Sequence, residues 1–187
     1  MARHPGRSQT ARRRTSPVTS CQECDFVYEE LAQDEIATTV ASFGPRYRSA
    51  LAEVGAATGW SRPGPAVWSA LEYASHVRDV LLVQRDRVVL AQVEARPQFA
   101  RMNRDERVAL CAYSAFPPEA VLGHLEMASA LCAAAFAAIE AGSWGRTFLY
   151  SWPSPQEHDL TWLGRHTVHE VEHHLMDVRR VLAAVGA

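Results

Sequence analysis

No lysine occurs among the 187 residues, and all nineteen basic side chains are Arg. Together with the heavy use of Ala, this reflects a genome rich in G and C more than a function. Long apolar runs are scarce too. The longest covers 128–139 and stops at Glu140, short of the roughly 20 residues that span a bilayer, so no transmembrane helix is expected. Strict two-residue alternation bounded by hairpin turns is missing as well, which weighs against strands. Cysteine is limited to Cys21, Cys24, Cys111 and Cys132. A structural zinc site takes four ligands, and the sequence shows no second CxxC or nearby Cys-His pair to complete one around Cys21-Gln22-Glu23-Cys24. No convincing strand precedes that motif, as a thioredoxin-like site requires. The pair reads as reduced thiols in a mobile lead-in, and Cys111 and Cys132 as small core residues.

What is present fits one globular domain. The mass is 20.7 kDa, with 48% hydrophobic residues, 21% charged and a net charge of −2. Arg3, Arg7, Arg12, Arg13 and Arg14 crowd the first twenty residues, leaving fourteen Arg against twenty-one acids, a net of −7. Mixed with Ser, Thr and Pro, these Arg read as a solvated tail rather than a nucleic-acid contact. The tail lacks the apolar segment of a secretory signal, so a cytoplasmic protein without membrane contact is expected. Residues 1–30 are assigned to a flexible basic arm with the CxxC lead-in, and 31–187 to a helical body.

A period of 3.6 runs through that body. Ile36, Val40, Phe43, Tyr47, Leu51 and Val54 make a first stripe, with Asp34 as N-cap and a kink or split at Gly44-Pro45. A second helix is expected from about 66 to 93. After a polar connection through 101–107, a third opens at Pro117-Pro118-Glu119 and ends near Gly142. A loop over 143–158 precedes a fourth, capped by Asp159. The fold class is all-α, a four-helix bundle. Val168, Val171, Leu175, Val178 and Leu182 form a stripe opposite the histidines of the last helix, which favours cover by a second subunit and a homodimer.

Half of the eight His, namely His166, His169, His173 and His174, lie within nine residues. His169 and His173, at i and i+4, can grip one ion, whereas His174 turns about 100° away from His173. The run His169-Glu170-Val171-Glu172-His173 also matches the H-E-x-x-H pattern of zinc peptidases. Their third ligand comes from downstream, where this chain has no Glu and no His beyond His174, and Met176 and Arg179 break the metzincin extension. Upstream, Trp68, Glu72 and His76 share a helix face. His166 lies near the His169 side and can orient a ligand or move a proton. Glu72, Glu170, Glu172 and Asp177 are the candidate carboxylates around a centre.

The Trp68 to His76 segment on the second helix, followed by His169-x-x-x-His173 on the fourth, resembles the DinB-like superfamily of metal-binding four-helix bundles, over roughly 31–187. The Cys-x-Glu-Cys-Asp-Phe lead-in and the His-Glu-x-x-His-His-Leu-x-Asp-Val ending look like a subgroup of it. The resemblance implies an up-down-down-up bundle and a metal, zinc or nickel, held by His76, His169 and His173. Its members include bacillithiol and mycothiol S-transferases and a mycothiol-dependent maleylpyruvate isomerase. The implied activity is therefore transfer of a low-molecular-weight thiol, of mycothiol type, to a small electrophile. A metal-dependent hydrolase and a non-catalytic metal-binding stress-response module are the alternatives.

Overall fold

The structure, a computed structural model, describes residues 20–151 and 154–186. Most of the basic arm, 1–19, lies outside the described residues. Helices run over Ile36–Leu51 (α1), Ala56–Gly59 (α2), Ala70–Val93 (α3), Arg104–Leu110 (α4), Pro118–Ala137 (α5) and Leu160–Val185 (α6). Three short strands, Gln98–Phe99 (β1), Thr147–Tyr150 (β2) and Gln156–Asp159 (β3), form a sheet in the order β1-β2-β3.

Local chemistry sets the helix ends. Ser69 caps α3, accepting from the N–H of Glu72, while the Glu72 carboxylate accepts from the Ser69 N–H at 2.8 Å. This box starts the helix at Ala70, later than the expected 66. Pro118 sits at the first turn of α5, and Asp159 caps α6, accepting from the Trp162 N–H at 2.8 Å. Asp34 makes no such cap: it lies in a 3₁₀ turn, Gln33–Glu35, ahead of α1. Nor does Gly44-Pro45 split α1. The helix continues through Pro45, and Gly44 lies so close to α5 that an added Cβ would stand 3.0 Å from the Glu126 Cα.

The long helices form a ring in which α1 and α3 each pack against both α5 and α6. Their directions follow from the contacts. Ser129 donates to the Val40 carbonyl and Arg48 reaches back to Glu119, so α5 runs opposite to α1. The C-terminal ends of α3 and α5 lead into parallel partners β1 and β2, so those helices run the same way. β3, antiparallel to β2, leads directly into α6, which returns alongside them. The result is the up-down-down-up bundle.

The sheet departs from the expected 143–158 loop. Its strands are two to four residues long, too short for their alternation to stand out. α4 likewise occupies the expected polar connection. The stripe of Val168, Val171, Leu175, Val178 and Leu182 is buried in the core of the single chain, so it needs no second subunit to cover it. α5 corrects another expectation: by length and composition it is apolar enough to cross a membrane, because small and apolar residues extend upstream of Ala128. In the bundle it packs between α1 and α3.

Candidate metal centre

Successive residues on a helix point about 100° apart, so the histidine-rich run of α6 presents two faces. His166, Glu170 and His174 follow one another at i, i+4 and i+8 toward α3. His169 and His173 point toward the lead-in at 20–28.

On the first face the His76 imidazole, from α3, meets that of His174 with ring centroids 5.0 Å apart, and Trp68 leans on it at 5.1 Å. His76 Nδ1 is buried with no hydrogen-bond partner among the described residues. Burial, aided by nearby His174, lowers the His76 pKa to about 3, so the ring is neutral at pH 7. His174 shares a 2.9 Å hydrogen bond between Nδ1 and Asp177 Oδ2. That carboxylate orients the ring and, with the proton on Nδ1, leaves the Nε2 lone pair available. Glu170 sits one turn before His174. Burial pushes its pKa up, but the imidazoles of His166, His174, His169 and His76 outweigh burial and hold it below the ordinary carboxylate range. A carboxylate beside imidazoles is a donor set suited to a divalent cation.

This face opens on a cleft of about 310 Å³, walled by His76, His166, Glu170, Tyr150, Arg87 and the segment 100–106. Arg87 anchors the wall. It donates to the Tyr150 hydroxyl and to Gln84 Oε1, each at 3.1 Å, and to the Ala100 carbonyl. Tyr150 lies 3.2 Å from His166 Nε2, and Tyr28 lies 3.0 Å from His166 Nδ1. Both His166 nitrogens thus meet a tyrosine hydroxyl. Burial lowers the His166 pKa to about 4, and its ring stacks on Trp162 at 4.6 Å.

The second face meets the CxxC motif. Ligand atoms of Cys21, Cys24, His169 and His173 all lie within 4.8 Å of one another. Tyr28 also bonds His169 Nδ1 at 3.1 Å, and His169 Nε2 is buried with no partner among the described residues.

Of the expected trio, His169 and His173 join the two cysteines in one compact donor group, while His76 meets His174; a second compact group joins His166, His169 and Glu170, and neither His76 nor His174 falls in either group. One step of register is the cause: His174, turned away from His173, is the residue that reaches α3. Sequence reasoning gave Glu170 a lesser part and His174 none, although their i, i+4 spacing equals that of His169 and His173. The other candidates disperse. Glu172 pairs with Arg46 on α1, and Glu72 binds Arg62 besides its capping role. His158 stacks on Trp162 at 3.6 Å and His124 meets Phe116.

An up-down-down-up bundle with imidazoles and a carboxylate meeting between two helices defines a class of protein, the four-helix bundle built around a candidate metal centre. The chain belongs to the DinB superfamily, whose model matches residues 27–178. Its structure is similar to YfiT from Bacillus subtilis, described as a probable metal-dependent hydrolase with an unusual four-helix bundle topology. There the TM-score is 0.73 at 14% identity, over 92% of this chain and 94% of that one. It is also similar to the mycothiol-dependent maleylpyruvate isomerase, with a TM-score of 0.66 at 17% identity. That match covers 81% of this chain but 62% of the isomerase, so the chain spans less than two thirds of that protein's length. At these identities the likeness is one of fold. No curated protein matches the chain in sequence.

Proposed function

We propose that the cleft between α3 and α6 is the reaction site of a metal-dependent S-transferase, in which His76, Glu170 and His174 would hold a divalent cation. The observation that carries this reading is the meeting of His76 with His174, ring centroids 5.0 Å apart, beside Glu170 in the cleft wall. Two imidazoles and one carboxylate are a donor set of catalytic zinc sites that keep an open position; nickel is the alternative ion. A cation held there supplies Lewis acidity that stabilises the thiolate of a bound low-molecular-weight thiol near neutral pH.

The protein's own residues do the rest. Asp177 keeps His174 oriented through Nδ1. The proton that leaves the thiol passes to water in the open cleft, because both His166 nitrogens are engaged by Tyr28 and Tyr150 and His166 serves to position that wall. The sulfur then forms a bond to the electrophilic carbon of a small substrate, whose leaving group departs with its electron pair. Arg87 holds Tyr150, and through it His166, in place. The comparison with the mycothiol-dependent isomerase supports a thiol of that type.

A second reading, hydrolysis, uses the same residues with water as the nucleophile. It is favoured by the neutral His166 lying close to Glu170, their ligand atoms within 4.8 Å. The experiment mixes zinc-loaded protein with a mycothiol-type thiol and monochlorobimane. Thiol consumption above the blank, reduced tenfold or more on the order expected for a lost ligand in His76→Ala or His174→Ala, supports transfer. Metal-dependent ester turnover without added thiol replaces it with the hydrolase reading, and inactivity in both assays leaves only a binding module.

A further inference from the structure

We propose that Cys21, Cys24, His169 and His173 form a separate structural zinc site that clasps the lead-in onto α6. This goes beyond the cleft reading and does not rest on it. Zinc in structural sites is tetrahedral with thiolate and imidazole ligands, and paired Cys at CxxC spacing with paired His at HxxxH spacing is one of its recurring donor sets. Here the halves are 152 positions apart between Cys21 and His173, and folding brings all four donors within 4.8 Å of one another.

The distances suit the ion. With Zn–S of about 2.3 Å and Zn–N of about 2.0–2.1 Å, ligand atoms at neighbouring corners of a tetrahedron stand roughly 3.3–3.8 Å apart. Cys21 Sγ lies 3.7 Å from His173 Nδ1. Of the outer nitrogens, His173 Nε2 faces the Asp177 carboxylate at 3.7 Å, outside hydrogen-bond range, and His169 Nδ1 meets the Tyr28 hydroxyl at 3.1 Å. That leaves His169 Nε2, buried and with no partner among the described residues, as its ligand atom. A polar partner on the far nitrogen, as Tyr28 is for His169, is what fixes the tautomer of a metal-bound imidazole.

The backbone around the cysteines has the matching shape. Ser20 and Val27 pair as an antiparallel bridge, and the Cys21 N–H donates to the Phe26 carbonyl at 2.9 Å. Asp25, directly after the second cysteine, adopts a left-handed conformation with φ 58°. This reverses the chain between the second cysteine and Phe26. On binding, zinc displaces the two thiol protons, and two thiolates with two neutral imidazoles balance its charge. The clasp also sets the position of Tyr28, four residues past Cys24, and hence one wall of the His166 environment.

The test uses the full, reduced chain loaded with Co²⁺ in place of zinc. One equivalent is expected to produce thiolate-to-cobalt charge-transfer absorption in the near ultraviolet and the intense visible bands of four-coordinate cobalt. The charge-transfer absorption should persist in His76→Ala, even if the cleft proves to bind nothing, and disappear in the Cys21→Ser, Cys24→Ser double variant. Absence of the charge-transfer band from the reduced wild-type chain overturns the proposal without recourse to any variant. A band undiminished in the double variant overturns it as well, since the sulfur would then come from Cys111 or Cys132.

Discussion

Tyr28 and His166, 138 positions apart in sequence, share a 3.0 Å hydrogen bond, and the same hydroxyl lies 3.1 Å from His169 Nδ1. A hydroxyl has one proton to donate. It therefore donates to one of these imidazoles and accepts from the other, which couples their tautomers. With zinc on His169 Nε2, the His169 Nδ1–H donates to Tyr28, Tyr28 donates to His166 Nδ1, and His166 Nε2–H donates to Tyr150. The proposed clasp thereby determines which way the cleft histidine presents its proton.

Removing that hydroxyl strands two imidazole nitrogens. Tyr28→Phe is expected to lower stability by about 1–3 kcal/mol, the cost of leaving buried polar groups unpaired. Urea unfolding followed by circular dichroism measures it. An unchanged midpoint would show that water replaces the bridge and that Tyr28 is a packing residue.

Two glycines should respond in opposite directions to alanine. In α6, a Cβ on Gly164 would stand 2.7 and 2.8 Å from Ile36 side-chain atoms, and Ile36 is fully buried. Overpacking costs about 1–3 kcal/mol, against a helix-propensity gain of about 0.8–1.0 kcal/mol. Gly164→Ala is thus expected to destabilise, with partial recovery when Ile36→Val is added. Gly123, within α5, has nothing within 4 Å of its built Cβ, so Gly123→Ala should raise stability by roughly 0.5–1 kcal/mol. Thermal melts of the variants decide the signs.

Arg87 is 5% exposed and serves three acceptors on two elements and a connecting segment. Lysine keeps the charge but not the planar fork that spans them. Arg87→Lys should cost about 1–3 kcal/mol and speed hydrogen exchange around 98–101, where the Ala100 carbonyl loses its donor. Exchange mass spectrometry of that peptide checks the location, and an unaltered rate would remove Arg87 from its anchoring role.

The two remaining cysteines should separate by reactivity. Cys132 is fully buried between helices, and burial pushes its thiol pKa up to about 12. Cys111 is exposed. Since the thiolate is the reacting form, iodoacetamide at pH 8 is expected to label Cys111 in the native protein and to reach Cys132 only after denaturation. Peptide mapping reads the outcome directly, and native labelling of Cys132 would show that the α5 face opens far more readily than its packing implies.

Much of this architecture is legible along the chain. The long helices follow from apolar spacing, from the Asp159 cap and from Pro118, because helix periodicity and capping are local properties within a few residues of one another. The short strands were hidden, since β1 consists only of Gln98 and Phe99 and is defined by what it pairs with.

The sequence by itself determined the helical stripes, the histidine cluster and the CxxC motif, all of which depend on neighbours in the chain. Only the tertiary structure decided which imidazole meets which partner. Two adjacent residues of α6, His173 and His174, point about 100° apart, and the packing angle of α6 sends one to the cysteines and the other to His76. That choice belongs to helix rotation within the bundle, set by burial of Val171, Leu175 and Val178, and no local spacing encodes it.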